Sequence, residues 1–459
     1  MRRLLIILLF FLVPSASFAD NVSLEKARSA ASNFCKTKLA TKSSSSLQLV
    51  AGGDEYYVFQ RSGGGFVIIS GDDAAVPVLG YSYTGKFDIN NMPDNCKAWL
   101  EGYKEQIQTI RNSGSGRSPQ AVALWNEILI PTKAGESGYE PELLLTTADW
   151  DQGYPYNELC PVIDSTHCIT GCVATAAAIV ARYYNYPKTC SGTIPGYGFE
   201  YEGVHYNVPS HDLPGSYDWD HMPLVASAIT TDRERQAIAQ LMYDMGTIAQ
   251  ASYGLDATSA YTYILVEGMI NYLGFDSNAQ YLFRRNYSDS EWVEMLKKDL
   301  NETGPILYAG SSENGGHQFT LAGYDSKDNF YVNWGWGGSW NGYYAIDAFV
   351  VNTSTATHDY RNNQDAVFGM KPAGYDPEEG DLDKITTLDF DPSTRTVTVE
   401  TFRDASYTFK DSTGATVTKG VSKEGRKIII KSQNYTADTY VLTLTRGGQT
   451  KVIELILGR

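Results

Sequence analysis

Cysteine is scarce. Six residues in 459 cannot build a disulfide-stapled scaffold, so the fold must rest on hydrophobic cores. Basic residues are in short supply too. With 37 Lys and Arg against 53 Asp and Glu, the net charge is −16. That leaves no basic surface to neutralise phosphates and excludes a nucleic-acid partner. CxxC pairs are missing, so Cys160, His167, Cys168 and Cys190 do not read as a structural zinc site. Beyond the N-terminus no apolar run is long enough to cross a bilayer, and no integral membrane segment is expected. What remains is ordinary globular composition, 42% hydrophobic and 20% charged, in a chain long enough for two or three folding units.

The first residues read as an address. Met1-Arg2-Arg3 is a positive region, Leu4 to Val13 is apolar, and Ser17-Phe18-Ala19 has the small-x-small pattern of a signal-peptidase site. Residues 1–19 are thus expected to be a signal peptide, cut between Ala19 and Asp20, and the product exported. The first cysteine, Cys35, is too far from that cut for a lipoprotein anchor.

Residues 20–133 read as one small α+β unit. Ala27, Ala30, Ala31 and Phe34 share a helical face. Tyr56–Phe59 and Phe66–Ile69 flank Gly63-Gly64-Gly65 as a hairpin, and helices are expected at 99–110 and 121–130. Pro131 to Glu142, with Pro131, Gly135, Gly138 and Pro141, reads as an exposed break that proteases can reach. Residues 134–375 then form a second α+β unit, helices first and strands after. Residues 376–391 form an acidic connector. Six short alternating runs between Thr396 and Leu457 predict a C-terminal all-β sandwich within 376–459.

Three segments carry chemistry. Thr170-Gly171-Cys172 opens an alanine-rich run to Tyr184, which places Cys172 at a helix N-terminus. Unpaired N–H groups and the helix dipole there favour thiolate. His317 follows Gly315-Gly316 and starts a strand; an imidazole can take the thiol proton and return one to a leaving amine. Asn333-Trp334-Gly335-Trp336 supplies a side-chain carbonyl able to orient that imidazole and indoles able to exclude water. The order is Cys, then His 145 residues on, then Asn 161 residues on, as in papain-like peptidases. Each segment alone could be structural: a buried cysteine starting a core helix, a surface histidine at a strand start, and aromatic core packing with glycine turns.

The segments "TADWDQGYPYNELCPVI", "TGCVATAAAIVARYYNYP", "GGHQFTLAGYDSKDNFYVNWGWGG" and "AVFGMKP" resemble the streptopain/interpain family of bacterial papain-like cysteine peptidases, across residues 20 to 372. That resemblance implies a papain-like catalytic domain with Cys172 and His317 as the catalytic pair. It implies Gln152 in the oxyanion hole and Asn333 and Trp334 as histidine-orienting residues. It makes residues 20–133 a propeptide, in which Asn90 or Asn91 would disturb the histidine. It implies protein or peptide substrates and no metal or organic cofactor. The family's glycine-rich mobile loop corresponds to Asn352–Gln364, which holds no glycine. The C-terminal sandwich lies outside the resemblance. A Cys–His amidase acting on peptidoglycan, or a non-catalytic adhesin, could be built on the same core. The N-terminal unit argues against the first, and the intact Cys172, Gln152 and His317 against the second.

Overall fold

The computed structural model describes residues 20–38, 46–113, 116–130, 139–225, 229–312, 315–348 and 364–375, and in the C-terminal region 386–391, 396–401, 405–422, 427–431, 434–436, 438–446 and 449–457. The expected signal peptide, residues 131–138 of the expected cleavage stretch and most of the Asn352–Gln364 loop lie outside them.

The N-terminal unit wraps helices round a four-stranded meander: α1 (Leu24–Lys38), β1 (Leu47–Gly52), β2 (Tyr56–Arg61), β3 (Phe66–Ser70), β4 (Val78–Ser82), α2 (Asp94–Ser113) and α3 (Pro119–Leu129). Strand alternation divides its apolar side chains between two faces. Val67 and Ile69 pack with Ala27, Ala30, Phe34 and Trp125 of α1 and α3. Phe66 and Ile68 join Trp99, Leu100, Tyr103 and Ile107 of α2 in a larger core. Helix α3 starts where the sequence allows it: Ser118 accepts the Ala121 N–H at 3.0 Å and Pro119 needs no donor at the first turn.

The second unit contributes α4 (Cys172–Tyr184), α5 (Asp232–Ile248), α6 (Thr262–Leu273) and α7 (Asp289–Glu302). Thr231 with Glu234, and Ser288 with Glu291, form capping boxes that set the starts of α5 and α7. Its main strands are β5 (Pro141–Leu144), β6 (Gln280–Phe283), β7 (Ile306–Ser312), β8 (Gly315–Asp325), β9 (Asn329–Asn333), β10 (Gly342–Ala345) and β11 (Gln364–Phe368). Short hairpins fill the stretch between α4 and α5.

The two units share one antiparallel sheet of eleven strands. Its order is β1-β2-β3-β4-β10-β9-β8-β7-β11-β6, with β5 also paired to β8. The junction is the pairing of β4 with β10, Tyr81 opposite Tyr343 and Gly80 opposite Tyr344. Both glycines at this junction are needed for close approach. A Cβ on Gly80 would lie 2.7 Å from the Tyr344 ring, and one on Gly342 would lie 2.3 Å from the Tyr81 carbonyl. Tyr81 and Tyr343 stack at 5.0 Å, and the Tyr81 hydroxyl donates to the buried Asp325 carboxylate at 2.7 Å.

The break expected at 131–142 ends earlier than its composition suggests. Pro141 to Leu144 pair with β8, and the Glu140 N–H donates to Ser326 at 3.0 Å. Proline is tolerated at the first residue of an edge-lying strand, and Leu143 is fully buried. In the C-terminal region a three-stranded sheet (386–391, 396–401, 427–431) and a four-stranded one (405–410, 416–422, 438–446, 449–457) share a core of Val397, Val399, Phe409, Ile430, Leu442 and Leu444. The strand at 386–391 corrects the acidic connector drawn through it: Leu388 and Phe390 alternate with Asp389 and Asp391, and the period outweighs the charge. Among the described residues no helix is long and apolar enough to cross a membrane.

Candidate active site

Helix α4 is buried along nearly its whole length, and its Ala176, Ala177, Ala178 and Ala181 let neighbouring layers come close. Gly171 precedes it with φ +86°. A Cβ there would fall 2.8 Å from the Thr258 carbonyl, so no other residue enters this helix the same way. Cys172 thus stands at the first turn. The Gln318 N–H, one residue past His317 on β8, points at its sulfur from 3.5 Å. The structure therefore brings the nucleophile candidate and the base candidate to adjoining positions from opposite ends of the unit.

Gln152 is buried beside them. Its carbonyl accepts the Thr170 N–H at 3.0 Å, which ties its segment to the loop that delivers Cys172. Asp151 shapes that turn by accepting from the Gln152 and Gly153 N–H groups at 2.6 and 3.2 Å. The Gly337 N–H donates to the Trp150 carbonyl at 2.9 Å, joining the tryptophan-rich loop to the same corner.

Asn333 and Trp334 are placed differently from one another. Asn333 is fully buried and its carboxamide is occupied. The Nδ2 donates to Thr147 Oγ1 and the Ala148 carbonyl at 3.0 and 2.9 Å, and Oδ1 accepts the Gly335 N–H at 3.1 Å. It organises the turn, and no hydrogen bond among the described residues links it to the His317 ring. Trp334 donates from Nε1 to the Trp340 carbonyl at 3.1 Å and packs 4.8 Å from Phe319. Phe319 lies two residues along β8 from His317, on the same face of the strand.

That face is covered by α2. Asn95, Trp99, Tyr103 and Gln106 form one helical stripe. Asn95 Nδ2 donates to the Trp334 carbonyl at 2.9 Å. Trp99 packs 5.5 Å from Phe319 and 6.2 Å from Trp334, and lies over Gly310, the residue opposite His317 in the sheet. Tyr103 donates to the Leu79 and Ala345 carbonyls, and Gln106 Oε1 accepts the Ala348 N–H at 2.9 Å. Asn90 and Asn91 stay within their own loop: the Asn90 N–H and Asn91 Nδ2 both donate to Asp88, at 3.0 and 2.7 Å.

The electrostatics follow from burial. Burial pushes the Cys172 thiol up from its ordinary value, against the N–H groups of Gln318, Val173 and Cys172 that pull it down. This is the reverse of the shift expected from a helix N-terminus and a neighbouring imidazolium. The reason is geometric: among the described residues no hydrogen bond joins Cys172 to the His317 ring, and enclosure outweighs the helix end. Burial likewise lowers the His317 pKa, with Asp94 at the start of α2 acting in the opposite sense. All six cysteines are free thiols.

Residues 150–344 match the Peptidase C10 family, and residues 19–107 match the Spi protease inhibitor family. Streptopain of Streptococcus pyogenes is 30% identical over 342 residues, covering 70% of this chain and 81% of streptopain. The chain belongs to the Peptidase C10 family. It is thereby a papain-like cysteine peptidase by kinship. The thiol protease/hemagglutinin PrtT of Porphyromonas gingivalis is 30% identical over 381 residues, of which this chain spans 42% of the length. A prointerpain A fragment from Prevotella intermedia is similar in structure, with TM-score 0.57, 31% identity, and coverage of 72% of this chain and 99% of the fragment.

In this C10 chain the covering stripe of α2 is what residue-by-residue reading missed. Its signal was present as a helical period at 95, 99, 103 and 106, started by Pro93-Asp94. A direct consequence is testable. Trp99→Ala removes the largest side chain from this contact, a class of change that costs about 3–5 kcal/mol in a core. In the full chain it is expected to hasten loss of the N-terminal unit by at least tenfold, read as the rate of self-processing on a gel. Unchanged processing would show that α2 does not hold the site closed.

Proposed function

We propose that the chain is made as a secreted zymogen, and that its mature form is a cysteine endopeptidase acting on proteins or peptides. The observation that carries this reading is the Gln318 N–H on the Cys172 sulfur, which sets His317 next to a cysteine at a helix start. In the mature enzyme the Cys172 thiolate attacks the scissile carbonyl carbon and His317 protonates the leaving amine. Water, deprotonated by His317, then cleaves the thioester and frees the acid. The Cys172 N–H and the Gln152 side-chain NH₂ hold the oxyanion. Trp334, packed on Phe319, keeps the strand bearing His317 rigid and dry. Asn333 acts through the turn rather than on the imidazole.

Residues 20–133 serve as the propeptide, with α2 as its inhibitory element. The match of residues 19–107 to a protease-inhibitor family supports this. The activation cut falls before Tyr139, since Tyr139 is buried and the chain from Glu140 onward is hydrogen-bonded to β8 and the residue after it.

The test is digestion of unfolded casein by the processed enzyme. Activity should vanish after thiol alkylation, and Gln152→Ala should lower kcat by about 10²–10³. Casein left intact by an enzyme that opens cell-wall peptidoglycan would replace this reading with an amidase.

A further inference from the structure

The N-terminal segment ends on a buried acid that the peptidase chemistry does not use. Asp73, in the connection from β3 to β4, has a side chain only 2% exposed. Its Oδ1 accepts the backbone N–H of Asp20 at 2.8 Å. Its Oδ2 accepts from Lys26 Nζ at 2.9 Å and from Arg117 Nη1 at 3.1 Å. The Asp73 N–H returns a bond to the Asp20 carbonyl at 3.2 Å, Asn21 bridges Asp72, and the Val22 N–H donates to the Gly71 carbonyl at 2.8 Å. The chain at Asp20 is thus seated residue by residue against this connection, with its nitrogen aimed at a carboxylate.

Asp20 is also the residue that the Ser17-Phe18-Ala19 pattern places first after export. Hydrolysis of the Ala19–Asp20 bond consumes one water, leaves a carboxylate on Ala19 and an amine on Asp20, and that amine is protonated near neutral pH. We propose that Asp73 is the receptor for this new amino terminus, so that signal removal converts an amide contact into an ammonium–carboxylate pair that completes the fold of the propeptide. The inference rests on the export reading above.

The chemistry suits the site. A charge-assisted bond to a carboxylate is roughly twice as strong as a neutral one, and burial of Asp73 shields it from screening. Asp72 and Asp73 are met by Lys26, Arg111 and Arg117; with the Asp20 carboxylate the named charges balance before the cut, and the new ammonium is held by direct contact with Asp73 rather than by a net negative field. The seat communicates with the catalytic unit over a short path, because the Val76 N–H, three residues beyond Asp73, donates to the Ala348 carbonyl at 2.9 Å. Trimming on export therefore tightens the unit that closes the active site, at the moment when closure is needed outside the cell.

The test uses the full chain carrying Cys172→Ala, exported with its own leader. N-terminal sequencing comes first. The proposal requires a start at Asp20, and a start elsewhere overturns the export cut and the seat together. Hydrogen exchange at the Val22 and Asp73 amides is then compared between this protein and one with Gly-Ser-Gly-Ser inserted directly before Asp20. The insertion moves the ammonium away and keeps every side chain. It is expected to raise exchange about tenfold, the change for one charge-assisted bond made neutral. In an Asp73→Asn background the insertion should change nothing further. Equal exchange with and without the insertion, in protein that does begin at Asp20, would overturn the seat and leave the export reading standing.

Discussion

Cys172→Ala is expected to abolish casein digestion, lowering kcat/KM by about 10⁴-fold or more, while leaving the fold in place. The sulfur is met by backbone N–H groups, that of Gln318 at 3.5 Å among them, and α4 is held by a buried alanine face and by Gly171 rather than by the thiol. Thermal unfolding should therefore shift little. The same protein should accumulate with its propeptide attached unless another protease supplies the cut. A Cys172→Ala enzyme that digests casein at the normal rate would remove Cys172 from the mechanism.

The second large effect is a change in thiol reactivity on maturation. In the proenzyme, enclosure raises the Cys172 pKa, so the thiolate fraction at any pH below it is smaller than for a free thiol, and alkylation should keep accelerating as pH rises past about 8.5. Removing α2 uncovers the His317 face, readmits water and lets the imidazolium pair with the sulfur. Both changes lower the thiol pKa. Alkylation of Cys172 near pH 6 should then rise about 100-fold between proenzyme and processed enzyme. Mass spectrometry of iodoacetamide adducts follows it, with Cys160, a buried thiol that both forms retain and whose pKa burial raises, as a slow internal standard. Equal rates in the two forms at pH 6 would mean that the cover of α2 does not silence the thiol.

The elements closest to the chemistry were the most legible in the sequence. The alanine run after Cys172 specifies a buried helix, and the glycine pair before His317 opens a strand; both stand where the pattern puts them. Local signals of this kind depend on spacing within one element. The parts that were not legible depend on what lies across from them. Pro141 to Leu144 carries no alternation and pairs because β8 offers a free side. Helix α2 shows its period and its Pro93-Asp94 start in the sequence, but not which strand its stripe covers. The carboxamide of Asn333 is spent on Thr147 and Ala148, partners 186 and 185 residues away. The rise in the Cys172 pKa in the covered enzyme was not legible for the same reason. A helix end can be read from sequence, whereas the protein packed around a sulfur cannot.

The shared sheet has a consequence for the molecule after its first unit is gone. While β4 is present, Gly342–Ala345 is an interior strand with partners on both sides. Afterwards its outer N–H and C=O groups face solvent as a bare edge, the kind of surface that templates aggregation when it is long and flat. This one is only four residues long. A second chain could gain few ladder bonds there, too few to repay the ordering of another strand. If the first unit is lost as proposed, the brevity of this seam limits the aggregation-prone edge that the remaining peptidase exposes.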